Sequence, residues 1–134
     1  MGRSQVILLD THVLIWMAME PDRLSKRAVT AIQNAKSTGE IHIADITLWE
    51  IATLVRHGRI AIHGSIDSFL HELAAPLVVK PITAAIAAMA TEFPKTYPKD
   101  PADRLIGATA RAEGLPLVTA DRQLRQSKLL QTIW

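Results

Sequence analysis

Short apolar runs alternate with helix-length segments along this chain, and that alternation limits its fold more than any other feature. Gln5 to Leu9, Ile41-His-Ile43, Leu77-Val-Val79 and Pro116-Leu-Val-Thr119 are brief and rich in strand-forming residues. Each is separated from the next by at least one helical stretch. Strands joined through helices run parallel by right-handed crossovers, so the sheet is buried on both faces. The chain therefore reads as an α/β fold of three layers around a mostly parallel sheet of four to five strands, the fifth being an edge strand from Gln131 to Trp134.

The helices carry their own punctuation. One opens at Asp10-Thr11 and runs to about Met19, stopped by Glu20-Pro21. Ser25 is the next N-cap, with Leu24 and Val29 spaced as a hydrophobic staple, and that helix ends near Gly39. Thr47 to His57 is a third helix, Ser65 caps a fourth, and Thr83 to Phe93 is a fifth. Pro94 through Pro101 holds three prolines and is a loop. It ends in Asp100-Pro101, a cap followed by proline at the first helical position, and Gly114 sits where a C′ glycine belongs. Asp121 starts a last short helix. Gly107, inside the sixth helix, should cost roughly 1 kcal/mol relative to alanine.

A length of 134 residues with 49% hydrophobic content is enough for one domain, residues 1–134, with a core that needs no staples. Zero cysteines exclude disulfides and thiolate metal sites and suit the cytoplasm. The apolar run ahead of Asp10 is too short for a secretory signal, and that from Val13 to Met19 is too short to span a bilayer. No membrane role is expected.

Four acids stand where a strand ends or a helix begins: Asp10, Glu50, Asp103 and Asp121. Each has a structural alternative. Asp10 and Asp121 fit helix N-caps, Glu50 completes a Thr47-Leu-Trp-Glu50 capping box, and Asp103 favours the dipole of a helix that Asp100 already caps. Their joint placement is what matters, because parallel sheets gather such positions at one edge. Carboxylates grouped there repel one another unless a cation holds them, and oxygen donors without cysteine or paired histidine select Mg2+ or Mn2+. If four of the 13 acids belong to that site, nine remain against 15 basic residues, a surplus of six that suits a polyanionic partner.

The segments Val6-Ile-Leu-Leu-Asp-Thr-His-Val-Leu-Ile-Trp16, Ile46-Thr-Leu-Trp-Glu-Ile51, Asp100-Pro-Ala-Asp-Arg-Leu-Ile106 and Leu117-Val-Thr-Ala-Asp121 resemble the four motifs of PIN domains. More narrowly they are similar to VapC toxins of bacterial type II toxin–antitoxin pairs, over nearly the whole chain. The resemblance implies Mg2+- or Mn2+-dependent endoribonuclease activity, neutralisation by a VapB-type antitoxin, and a homodimer. It also implies that Asp10, Glu50, Asp103 and Asp121 are catalytic and metal-binding, that Thr119 and Thr11 support them, and that the products carry 5′-phosphate and 3′-hydroxyl ends. Two departures from the family pattern are Tyr97-Pro98-Lys99, where many relatives carry histidine before the Asp-Pro motif, and Ala102, where phenylalanine is common.

The basic residues nearest these motifs, Arg56, Arg59, Lys99, Arg104, Arg122 and Arg125, are candidates to contact RNA, foremost Arg104, then Lys99 and Arg122, with a solvated helix face as the alternative for each. The five histidines lack ligand spacing and read as surface or packing residues. Trp16 and Trp49 read as core, with a subunit or antitoxin interface as the alternative for Trp16 in the apolar stretch 13 to 19. A phosphatase built on an aspartyl nucleophile needs a second Asp where His12 stands, and a receiver domain needs a late lysine that is missing. A catalytically silent RNA-binding module is the remaining alternative.

Overall fold

The computed structural model describes residues 5–134, so the first four positions of the expected domain lie outside the described residues. Five strands, β1 (Val6–Leu9), β2 (Glu40–Ala44), β3 (Val78–Lys80), β4 (Leu117–Val118) and β5 (Thr132–Ile133), form one sheet in the order β3-β2-β1-β4-β5. All four pairings are parallel. The expected edge strand is β5, and the third strand begins one residue later than the sequence suggests.

Seven helices cover the two faces: α1 (Thr11–Met19), α2 (Lys26–Thr38), α3 (Asp45–Arg56), α4 (Ile66–Ala74), α5 (Ala84–Glu92), α6 (Pro101–Glu113) and α7 (Arg122–Gln126). Strand alternation divides the core. Ile7, Leu9, Ile41, Ile43 and Val118 join Val13, Leu14 and Ile32 on the face covered by α1 and α2. Leu8, Ala44 and Leu117 face the opposite way, onto Ile86, Ala90, Ile106 and Leu124 of α5, α6 and α7. Helix α3 straddles the layers, with Ile51 in the first core and Ile46 against the second.

Caps stand largely where residue chemistry puts them. Ser25, Ser65, Thr83, Asp100 and Asp121 each accept a hydrogen bond from a backbone N–H of the helix that follows, and Gly114 closes α6 in the left-handed region at φ 65°. The exception is α3. It starts at Asp45, two residues before the expected cap, with Ala44 as an N-cap that makes no side-chain bond. No capping box forms, and Thr47, fully buried, turns inward.

Gly107 also corrects its expectation. A Cβ there would collide with the hydroxyl of Tyr97 and stand 3.1 Å from the Phe93 ring. Tyr97 is itself buried, at 4.6 Å from Phe93 between ring centroids. The glycine is what lets the proline-rich loop lie flat on α6, so overpacking outweighs helix propensity at this site. Gly107→Ala should therefore lose about 1–3 kcal/mol in urea unfolding. A stabilised variant would show that the tyrosine moves aside freely.

Candidate metal centre

The sheet order reverses at β1. The chain leaves it toward β2 and β3 on one side and returns to β4 and β5 on the other, so a crevice opens beyond the carboxyl ends of β1 and β4. Asp10 follows β1, and its N–H donates to the Val118 carbonyl at 3.0 Å. Asp121 follows β4. Thr119, fully buried between them, donates its hydroxyl to Asp10 Oδ2 at 2.6 Å and accepts the Asp121 N–H at 3.1 Å. The other oxygen of Asp10 accepts the Thr11 N–H at 2.9 Å.

Glu50 arrives from α3. Its Oε1 accepts a hydrogen bond from the Thr11 hydroxyl, which lies 3.1 Å from the Thr47 hydroxyl. Thr11 has one proton to give and gives it to the carboxylate, so Thr47 is the donor in the second bond. Asp103 sits in the first turn of α6. The Tyr97 hydroxyl donates to its carbonyl at 3.0 Å, while Asp100 Oδ1 accepts the N–H groups of Ala102 and Asp103 at 2.8 and 3.3 Å.

The electrostatics tie these groups together. Asp10, only 8% exposed, has its carboxyl pushed above the usual range by burial and by Asp121, against the pull of its hydrogen bonds and His12. Burial raises Glu50, and Asp10 and Asp100 add to the effect. Asp103 rises to about 7 through burial first and then through Asp10, Asp100, Glu50 and Asp121. Among the described residues none of these carboxylates is ion-paired; the pairs run Arg23–Glu20, His42–Glu40, His71–Asp67 and Lys80–Glu113. Such a group of uncompensated oxygens has the donor chemistry of a hard divalent cation.

The grouping is nonetheless not a finished coordination shell. Among the described residues no three His, Cys, Asp or Glu side chains are arranged to hold an ion. The two observations agree once distance is considered. Charges feel one another across about 8 Å of salt solution, whereas magnesium demands oxygens at about 2.1 Å.

Residues 7–128 match the family model described as PIN domain, a span that contains all four acids. The chain belongs to the PIN domain family. It is 42% identical over 130 residues to Ribonuclease VapC22 of Mycobacterium tuberculosis, covering 96% of this chain and 98% of that one. Among solved structures, VapBC2 of Rickettsia felis bound to a promoter DNA fragment matches with a TM-score of 0.74 at 18% identity, over 96% of this chain and 97% of that one. DNA-bound VapBC of Salmonella typhimurium matches at 0.69 and 18%, over 97% of each chain. Both likenesses show the PIN fold.

Of the basic residues, Arg104 departs from the expectation. Arg104 does not face outward. Its guanidinium donates to the carbonyls of Ala90, Phe93 and Pro94 at 3.2, 3.1 and 3.3 Å and to that of Tyr97 at 3.5 Å, so it pins the loop to α6. Lys99 and Arg122 are exposed. Trp49, expected in the core, is 62% exposed. Thr47 and Asp100 stand inside the motif segments but read there only as helix caps, and Tyr97 reads only as a departure before the Asp-Pro motif, so the part each plays in this region is not legible in the sequence. Asp100 is legible only as a cap, although the Asp-Pro-Ala-Asp spacing places both acids in one turn.

A carboxyl raised in the folded state keeps a proton that the unfolded chain has released. The resulting stability is full below the unfolded value of 3.8 and is lost as pH rises through about 7 for Asp103, with Asp10 and Glu50 acting in the same direction. In EDTA the protein should unfold at a lower temperature at pH 8 than at pH 5, and Asp103→Asn should melt above the parent at pH 8, by about 4 °C per kcal/mol relieved. A parent that becomes more stable over that interval would contradict the mutual repulsion.

Proposed function

We propose that this PIN domain is a VapC-type toxin, an endoribonuclease that hydrolyses RNA phosphodiester bonds with Mg2+ or Mn2+ and is restrained by a VapB-type antitoxin. The observation that carries the reading is the group of unpaired carboxylates, Asp10, Glu50, Asp103 and Asp121, at the sheet's switch point, where burial and neighbouring negative charge raise Asp10, Glu50 and Asp103. The similarity to Ribonuclease VapC22 supports the reaction, and the VapBC complexes among the fold neighbours support the partner.

Asp10, Glu50 and Asp103 would hold the cation, with Asp121 beside them. Once bound, such an ion activates water and offsets charge developing on the phosphate. The chain's own part is orientation. Thr119 and the Thr11 N–H aim Asp10 and favour its charged form, the Thr11 hydroxyl does the same for Glu50, and Tyr97 fixes the turn that carries Asp103.

In this reading the antitoxin would seat beside α1 and α3. A cavity of about 450 Å³ runs along α1 and α3, lined by Ile15, Trp16, Met19, Leu54 and Ile60 together with the polar His12, Glu20, Arg23 and Arg59. A homodimer is part of the same reading: Trp49 and Ile82 are exposed, and the Ile82 N–H bonds Asp45, one turn before Trp49. No helix among the described residues is long and apolar enough to cross a membrane, and an RNA substrate puts the work in the cytoplasm.

Asp10→Asn and Asp103→Asn should each abolish Mn2+-dependent RNA cleavage and growth inhibition while leaving the circular dichroism of a folded chain. Thr119→Val should lose about 10–100-fold in activity, as expected when a ligand's supporting bond is removed. Undiminished toxicity in either aspartate variant would sink the reading. RNA binding with no cleavage by the parent would make the chain a silent RNA-binding module instead.

A further inference from the structure

Arg27 at the start of α2, Arg122, Arg125 and Gln126 of α7, and Thr132 and Trp134 from the β5 edge line one open cavity of about 470 Å³. All three arginines are exposed, and among the described residues none lies within ion-pair distance of a carboxylate. Three of the other arginines are spent on the protein itself: Arg23 on Glu20, Arg104 on loop carbonyls, Arg111 on the Leu129 carbonyl. Three guanidinium groups that share a cavity without a counter-charge repel one another until an anion enters. Their planar donor forks match phosphate oxygens better than any other biological anion except carboxylate.

Position decides between those two. Strand β5 pairs with β4, and the Thr119 N–H donates to the Ile133 carbonyl at 3.1 Å, so Trp134 flanks the residue whose hydroxyl holds Asp10. Asp121 caps the helix that bears Arg122 and Arg125. The cavity therefore opens at the same edge of the sheet as the carboxylates. From it a row of rings leads back toward them: Trp134 lies 5.9 Å from Trp16, which lies 6.1 Å from His12 and 4.5 Å below the Arg23 guanidinium. Cationic groups interleaved with aromatic faces are what a single-stranded nucleic acid binds, its phosphates on the former and its bases on the latter.

We propose that Arg27, Arg122 and Arg125 form a phosphate subsite that grips the RNA backbone at a distance from the bond being cut. The inference rests on the nuclease reading and names how that site takes its substrate. It takes up the RNA contact expected of Arg122 and Arg125, on the helix that Asp121 caps, and gives Arg27, distant in sequence from every acidic motif, a part in substrate binding.

The test uses the full chain carrying Asp103→Asn, so that RNA is bound and not consumed, and a fluorescein-labelled single-stranded RNA of mixed sequence read by anisotropy across a KCl series. Adding Arg27→Ala with Arg125→Ala should weaken binding at least tenfold near 100 mM salt. The slope of log K against log[KCl] should also fall by roughly 0.7 for each phosphate that is no longer neutralised. Arg27→Lys with Arg125→Lys should keep most of the slope and recover part of the affinity, which a merely misfolded variant would not do. Unchanged affinity and slope in the alanine pair would overturn the subsite, as would an absence of RNA binding before the arginines are touched. If the alanine pair loses binding to poly-L-glutamate and keeps its RNA, the occupant is an acidic peptide and the proposal fails. Cleavage by the parent is followed separately: arginine-dependent binding without Mn2+-dependent cleavage would leave the subsite standing and remove the nuclease reading.

Discussion

The rest of the site depends on one buried carboxylate. Asp10 sits at the end of the central strand, almost fully enclosed, and a charge in that position is expensive unless its oxygens are satisfied. Thr119 supplies one bond from the neighbouring strand and the first N–H of α1 supplies another. The bond from Thr119 also joins β4 to β1 at the point where the sheet reverses. The fold that buries Asp10 is thus the fold that gathers the other acids near it.

Those acids are placed by different means. Glu50 is set by a hydroxyl relay from Thr47 through Thr11, which links α3 to α1 beneath the crevice. Asp103 depends on a clasp further out. Tyr97 lies on Gly107 and donates to the Asp103 carbonyl, and Arg104 ties the Ala90 to Tyr97 segment to the same turn. Burial and Asp103 together push the Tyr97 hydroxyl to a higher pKa, so it stays a donor. Each support orders a carboxylate that its neighbours repel, an electrostatic cost that the proposed cation would relieve.

Much of this is legible in the sequence because it is local. Strand runs, serine and aspartate caps, the C′ glycine and the ends on which the acids sit follow from period and cap chemistry within a few residues. Even the error at α3 has a local form: the helix starts two residues early, which moves Thr47 from the cap to an inward position and frees Glu50 from the box. The long-range packing has no such signal. Nothing in the spacing shows that Gly107 must stay small for Tyr97, that Arg104 turns back onto carbonyls, or that Arg27 shares a cavity with α7. Trp49 departs from its expected core position because α3 serves two cores, so an apolar residue on it need not face either.

The most direct test of the account is thermal unfolding of the purified chain in EDTA and then in rising Mn2+, beside Asp103→Asn. It needs no knowledge of the RNA. Binding only to the folded state stabilises the parent by about 1.4 kcal/mol at ten times the dissociation constant. The parent should show that gain and Asp103→Asn little of it. If the parent does not respond to millimolar Mn2+, or if both respond equally, the carboxylates act as helix caps and strand-end acceptors and do not form a metal centre.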